Sequence, residues 1–202
     1  MRLAIMAMSI MRIALMFVVL LASMPVKAQL NASESAKRGV THTVAVNGGL
    51  GCITSKLYTP DGDKSWLCGI DMSVEYDCVF YSGYGFGLLA ERSSTDYGGD
   101  YINITYLGPS FVMAGDISDR WRGKMDAGAG YTVCDDGFDK RKGFGLRASV
   151  GVDYKLLEWL GVGAELTDYL SFYSKRDKYG WGDNGNNGIQ RFALTAGLRV
   201  YF

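Results

Sequence analysis

The chain has 202 residues, with 21 Lys and Arg against 21 Asp and Glu, 27 Gly, 13 Tyr and only 3 Pro. That length fits one domain, and the balanced charge removes the electrostatic argument for nucleic acid as a partner. Hydrophobic residues at 48% exclude a disordered chain, while charged residues at 21% exclude a helical membrane bundle.

Residues 1–28 read as a secretory leader. Arg2 and Arg12 make its start basic, Ile13 to Ala22 is an uninterrupted apolar run, and Val26 and Ala28 place small residues before the break. The run is ten residues long, where a spanning helix needs about twenty. Cleavage is expected after Ala28, and Met8 or Met11 serves as a start as readily as Met1. Gln29 rather than Cys follows, so no lipid anchor is expected there. Three basic residues (Arg2, Arg12, Lys27) leave with the leader, so the domain at 29–202 carries 18 basic against 21 acidic residues.

From there the chain alternates with a period of two, the signature of strands. The expected strands, in order, are 41–52, 66–76, 80–91, 100–114, 120–133, 143–154, 160–167 and 191–202. In the second, Ile70, Met72 and Val74 oppose Gly69, Asp71, Ser73 and Glu75. In the fourth, Gly108-Pro109 is expected to make a bulge. The sixth is the most regular, from Gly143 to Tyr154, with every even position apolar or aromatic. In the eighth, Phe192, Leu194, Ala196, Leu198, Val200 and Phe202 share one face. Longer connections centre near Pro60, Asp96, Phe138 and Gly182, and short ones lie at 77–81, 115–119 and 155–159. Long and short connections in alternation describe an antiparallel up-and-down meander of eight strands.

Such a meander is a soluble barrel with an apolar interior or a membrane barrel with an apolar exterior. The polar face decides. It is rich in Gly (69, 83, 85, 87, 128, 130, 143, 145, 151, 161, 163 and 197), as a narrow interior requires. Its charges nearly balance: Arg122, Lys124, Arg147, Arg191 and Arg199 against Asp71, Glu75, Glu91, Asp126, Asp153 and Glu165. Mixed signs suit an internal ion-pair network, because an unpaired charge in a narrow interior is expensive. Tyr76, Trp121, Tyr154 and Trp159 lie close to the short turns and fit an interfacial girdle. The expected fold is therefore an all-β, eight-stranded transmembrane barrel.

At this point the residues resemble a known group. The terminal Thr195-Ala196-Gly197-Leu198-Arg199-Val200-Tyr201-Phe202 is similar to the insertion signal of the small outer-membrane β-barrels of Gram-negative bacteria: a polar residue, Gly197 two later, Val200, and a final aromatic, Phe202. Val200 stands where that group usually has an aromatic. Tyr106-Leu107-Gly108-Pro109-Ser110-Phe111 resembles a phrase of Bacteroidetes-type porin-family and OmpA-like barrel domains. The resemblance implies residence in the outer membrane with both termini periplasmic, assembly by the insertion machinery, and outer-membrane lipid and lipopolysaccharide as surroundings. It implies no reaction and no cofactor.

The chemical candidates are few. His42 is the only histidine and should lie near the periplasmic rim on the lipid-side parity, without a Ser or acid placed to orient it. Cys52, Cys68, Cys78 and Cys134 contain no C-x-x-C and make no metal site. Cys52 and Cys68 share a parity across one hairpin, and export permits a disulfide between them. Cys78, read as lying in a short turn, and Cys134, read as lying in a long loop, fall at opposite ends. Gly83 to Gly87 alternates Gly with aromatics and reads as barrel wall, not a phosphate loop. The last long loop offers Lys175, Arg176 and Trp181 as a possible surface contact for saccharide or lipid head groups. A structural or surface-loop role leads, ahead of a narrow porin-like channel and of a lipid-modifying barrel enzyme.

The terminal signal yields a test. Deleting Phe202 costs the fold only about 2–3 kcal/mol, the burial of one aromatic, but removes the recognition end. The truncated chain is expected to refold in detergent yet to accumulate in the periplasm or be degraded, as surface labelling reports; normal surface levels overturn the signal. Arg199→Met, on the inward parity, should leave targeting intact and lower the unfolding temperature.

Overall fold

A computed structural model describes residues 39–202 apart from 56, 60–61, 65, 98–99, 138–139 and 174–187. The leader at 1–28, the loop centres at Pro60, Phe138 and Gly182, and the contact candidates Lys175, Arg176 and Trp181 lie outside these residues. Ten strands form. They are β1 (Val40–Ile53), β2 (Leu57–Thr59), β3 (Gly62–Lys64), β4 (Leu67–Phe80), β5 (Tyr84–Tyr97), β6 (Asp100–Asp116), β7 (Trp121–Asp135), β8 (Lys140–Lys155), β9 (Leu160–Tyr173) and β10 (Gly188–Tyr201). Eight close a barrel in the order β1-β10-β9-β8-β7-β6-β5-β4, and β2 and β3 make a two-stranded ribbon between β1 and β4. Every neighbouring barrel pair is antiparallel, including the closing pair β1–β10.

The eight expected barrel strands are all present, with corrected ends. The first turn spans 81–83 rather than 77–81, because Asp77 and Val79 point inward and Cys78 outward, continuing the alternation of β4. Cys78 is thus a strand residue. Gly83 belongs to the turn and not the wall: its φ of 83° is open to glycine, and its N–H bonds to the Phe80 carbonyl at 2.9 Å. The connection near Asp96 is not long. β5 and β6 stay paired to Tyr97 and Asp100, and Cys134 is a buried residue of β7 rather than of a loop. Polar residues on both faces looked like loop, yet the backbone ladder holds them in strands that outreach the apolar belt.

The expected bulge at Gly108-Pro109 is absent. The β5–β6 register runs through it unbroken, and toward β7 the pairing lapses between Leu107↔Tyr131 and Ser110↔Gly128 without a shift. Pro109 has no N–H to donate, so the ladder skips it. Close approach explains the glycines alongside: a Cβ on Gly108 would lie 2.6 Å from the Gly130 Cα.

The outer face is predominantly apolar along the belt. Val46, Leu50, Ile70, Val74, Leu88, Leu107, Leu194 and Leu198 are all exposed. A continuous apolar exterior of this kind suits lipid and not water. Trp121 and Tyr154 meet edge-on at 5.0 Å near the short turns, and the Arg120 guanidinium donates to the Tyr154 hydroxyl at 3.0 Å. Phe202 closes the seam at the same end, exchanging backbone hydrogen bonds with His42 at 2.9 and 3.0 Å.

Cys52 and Cys68 are cross-strand partners and are joined by a disulfide, on the outer parity at the end away from the short turns. A loop closed over a sequence separation of 16 is worth about 3 kcal/mol in chain entropy. Replacing both cysteines with Ser should lower the urea-unfolding free energy in detergent by about 2–3 kcal/mol while the boiled and unboiled forms still migrate differently on electrophoresis.

Candidate functional site

Inward positions meet in the barrel lumen, and its layers follow from the order of side chains along each strand. At the loop end Ile53, Ile102, Ile104, Cys134, Tyr173 and Ile189 pack together, with Leu67 against them, as an apolar plug. The Tyr173 and Thr132 hydroxyls bond at 3.1 Å beneath it. Next come Leu89, Tyr106 and Tyr169, the two rings edge-on at 5.6 Å. Arg191 lies 4.5 Å from the Tyr169 ring centre and Arg147 lies 5.9 Å from it.

The ionic layer fills the middle. Arg191 pairs with Asp71 and Glu91, and Arg147 with Asp126, which also accepts from the Ser149 hydroxyl. Lys124 is the hub: its Nζ lies 2.5 Å from Glu75, 2.8 Å from Asp77, 3.5 Å from Glu165 and 3.9 Å from Asp126. Arg199 pairs with Asp153 at 2.9 Å and Glu165 at 3.5 Å, and donates to Asn47. Asn47 in turn donates to Glu165 and Ser73, each at 3.2 Å. All seven charged residues of the expected network, Asp71, Glu75, Arg147, Asp153, Glu165, Arg191 and Arg199, take part in these pairs. Arg122 sits nearer the turn end, 5.7 Å from the Tyr201 ring centre.

Sequence reading missed Asp77. Expected in a turn, it points inward and is one of the two carboxylates nearest Lys124. Extending the alternation two residues past Glu75 would have found it. Trp66, expected to open the second strand, instead lies just before β4: it is 69% exposed with φ at 61°, a left-handed conformation uncommon for a non-glycine residue.

Below the ionic layer a cavity of about 10 Å³, room for about one water, is lined in part by Thr43, Asp77, Arg122, Lys124, Asp153 and Arg199. Val79, Val112 and Ala114 pack beside it. Glu75, Asp126 and Glu165 each bring an oxygen within 4.8 Å of the others, a spacing open to a metal ion. The Lys124 ammonium contacts all three and already supplies the positive charge there. His42 lies outside the lumen, on the outer face: its Nδ1 is 2.8 Å from the Tyr76 hydroxyl, and its ring stacks between Tyr76 and Phe202 at 5.9 and 5.6 Å. At the loop-end rim, Asp135 pairs with Lys140 at 3.1 Å and accepts the Gly137 N–H at 3.1 Å. Those two partners hold its carboxyl below the usual carboxylate range.

No family model matches the chain, and no curated protein sequence resembles it detectably. Solved structures do resemble it in fold. Neisserial surface protein A aligns with a TM-score of 0.59 at 14% identity, over 82% of this chain and 100% of that one. The outer membrane protein OprG from Pseudomonas aeruginosa aligns at 0.48 and 13% identity, over 79% of this chain and 95% of that one. The outer membrane enzyme PagL aligns at 0.42 and 13% identity, over 79% and 98%. At such identities the likeness concerns fold alone, and the fold is that of the small eight-stranded outer-membrane β-barrels.

The hub invites a direct test. Lys124→Met leaves Glu75, Asp77 and Glu165 charged and without their shared cation, and should cost about 3–5 kcal/mol of unfolding free energy in detergent. Adding Glu75→Gln removes one stranded charge and should recover part of the loss; a Lys124→Met protein as stable as the parent refutes the hub.

Proposed function

We propose that the protein is a non-enzymatic integral barrel of the outer membrane, with a structural envelope role or a role for its loops at the cell surface. The short turns and both termini face the periplasm in this reading. The connections across 54–66 and 174–187 then face outward, where Lys175, Arg176 and Trp181 are the candidate contacts for lipopolysaccharide or other saccharide.

One observation supports the reading most: the lumen is filled by its own packed and paired side chains. The apolar plug crosses the loop end, and the charges beneath it are engaged with one another. An ion crossing such a lumen would have to part the plug and the Lys124 cage together. Eight strands leave an interior that side chains fill, without an aqueous channel. Against a lipid-modifying activity, His42 is turned outward and held by two aromatic rings. A general base needs a nucleophile or water in reach of its free nitrogen, and the partners of His42 are Tyr76 and Phe202.

Planar bilayers containing the refolded protein should stay silent, and reproducible open steps would replace this reading with the channel. Lipid A from wild-type and deletion cells should have the same mass spectrum; a mass difference abolished by His42→Ala would establish the enzyme instead.

A further inference from the structure

Lipid-facing charge is scarce on this barrel, and where it occurs it is placed with symmetry. Among the described residues, two charged side chains occupy outward strand positions from the turn-end aromatics up to the level of Phe192. They are Arg92 on β5 and Asp168 on β9. Arg92 has Met72 and Thr105 as cross-strand neighbours, and Asp168 has Phe192 and Ala148. Asp168 accepts from the Gln190 amide at 3.3 and 3.4 Å, a neutral partner that leaves its charge uncompensated. The field of Arg92 reaches Asp135, but Asp135 is already paired with Lys140 at 3.1 Å. Ionisable groups at the edge of the apolar belt are unfavourable alone, and a partner of opposite sign relieves them.

The two are opposite in sign and equal in height. Arg92 lies eight residues beyond Tyr84, where β5 leaves its short turn, and Asp168 eight beyond Leu160, where β9 leaves its own. At a rise of about 3.3 Å per residue and a tilt near 40°, both stand roughly 20 Å from the turn end. Round the ring, β9 is four strands from β5 in either direction. The charges therefore sit on diametrically opposite walls at one depth.

We propose that copies of this chain associate side by side in the membrane, Arg92 of one barrel pairing with Asp168 of the next. The inference rests on the membrane reading above. Barrels inserted in one direction present the two groups to each other at the same depth, within apolar walls (Leu166, Leu170 and Ala148 on one side, Leu88, Ala90 and Leu107 on the other) that keep water away. Each charge compensates the other within that contact. Because the two halves of the contact lie on opposite walls, the contact is heterologous and does not close at two copies, so rows form rather than dimers.

Charge reversal tests this in the full chain, refolded into liposomes of zwitterionic phospholipid and labelled for energy transfer between copies. The wild type should exceed the random-proximity level on lipid dilution. Arg92→Asp alone and Asp168→Arg alone should each lose at least tenfold in association. A mixture of the two single variants should associate again, as should the double reversal. Wild-type transfer at the random level overturns the proposal and leaves Arg92 reaching toward lipid phosphates or the rim. Single variants that associate like the wild type, or a mixture that stays apart, overturn it too. Flotation with the liposomes and heat-modifiable mobility report insertion and folding separately, so a chain that never enters lipid refutes the membrane reading instead. Should a reversal prevent folding, Arg92→Gln and Asp168→Asn remove the charges with less disturbance and should show the same loss of association.

Discussion

A closed ring of eight strands leaves an interior that only side chains can fill, so each inward charge must be answered by another inward group. In this protein the answer is organised around Lys124, whose ammonium lies within 4 Å of four carboxylates from β4, β7 and β9. Arg191, Arg147 and Arg199 extend the arrangement from the tyrosine layer to the turn end. The pairs join strands far apart in sequence: Arg191 on β10 reaches Asp71 on β4 and Glu91 on β5. The ionic layer therefore does across the lumen what an apolar core does in a soluble protein, holding distant strands in one register.

The apolar material has been displaced to the outside and the loop end. Outside, the aliphatic belt and the rings at the turn end match a slab of hydrocarbon with a polar boundary. At the loop end, Ile53, Ile102, Ile104, Cys134, Tyr173 and Ile189 pack together inside the barrel. The plug and the charge layer lie in series along the barrel axis. This placement also separates the chemically active groups. The lone histidine is part of the seam with Phe202, while the acids are consumed in pairing.

Barrel closure joins the first strand to the last, and the backbone bonds between His42 and Phe202 are its final rung. The histidine ring fills the space between Tyr76 and Phe202, so the terminal aromatic packs on β1 and, through it, on β4. An exterior contact at the membrane boundary thus holds the end of the ring that no turn restrains.

Sequence alone determined whatever depends on the period of two: the strands, which face is polar, the near balance of inward charge, and the parity that lets Cys52 meet Cys68. Those properties are local, because alternation across a pleat needs no knowledge of the partner strand. Strand ends are legible only where the two faces keep their contrast: around Asp96 both faces turn polar, and past Asp77 both turn apolar at Val79 and Phe80. The tertiary structure decided pairing and position around the ring. That Lys124 gathers four acids, that Pro109 interrupts a ladder without shifting it, and that Arg92 stands opposite Asp168 all follow from strand order, stagger and closure. None of these is encoded in any single strand, because closure relates residues through the circumference of the barrel rather than along the chain.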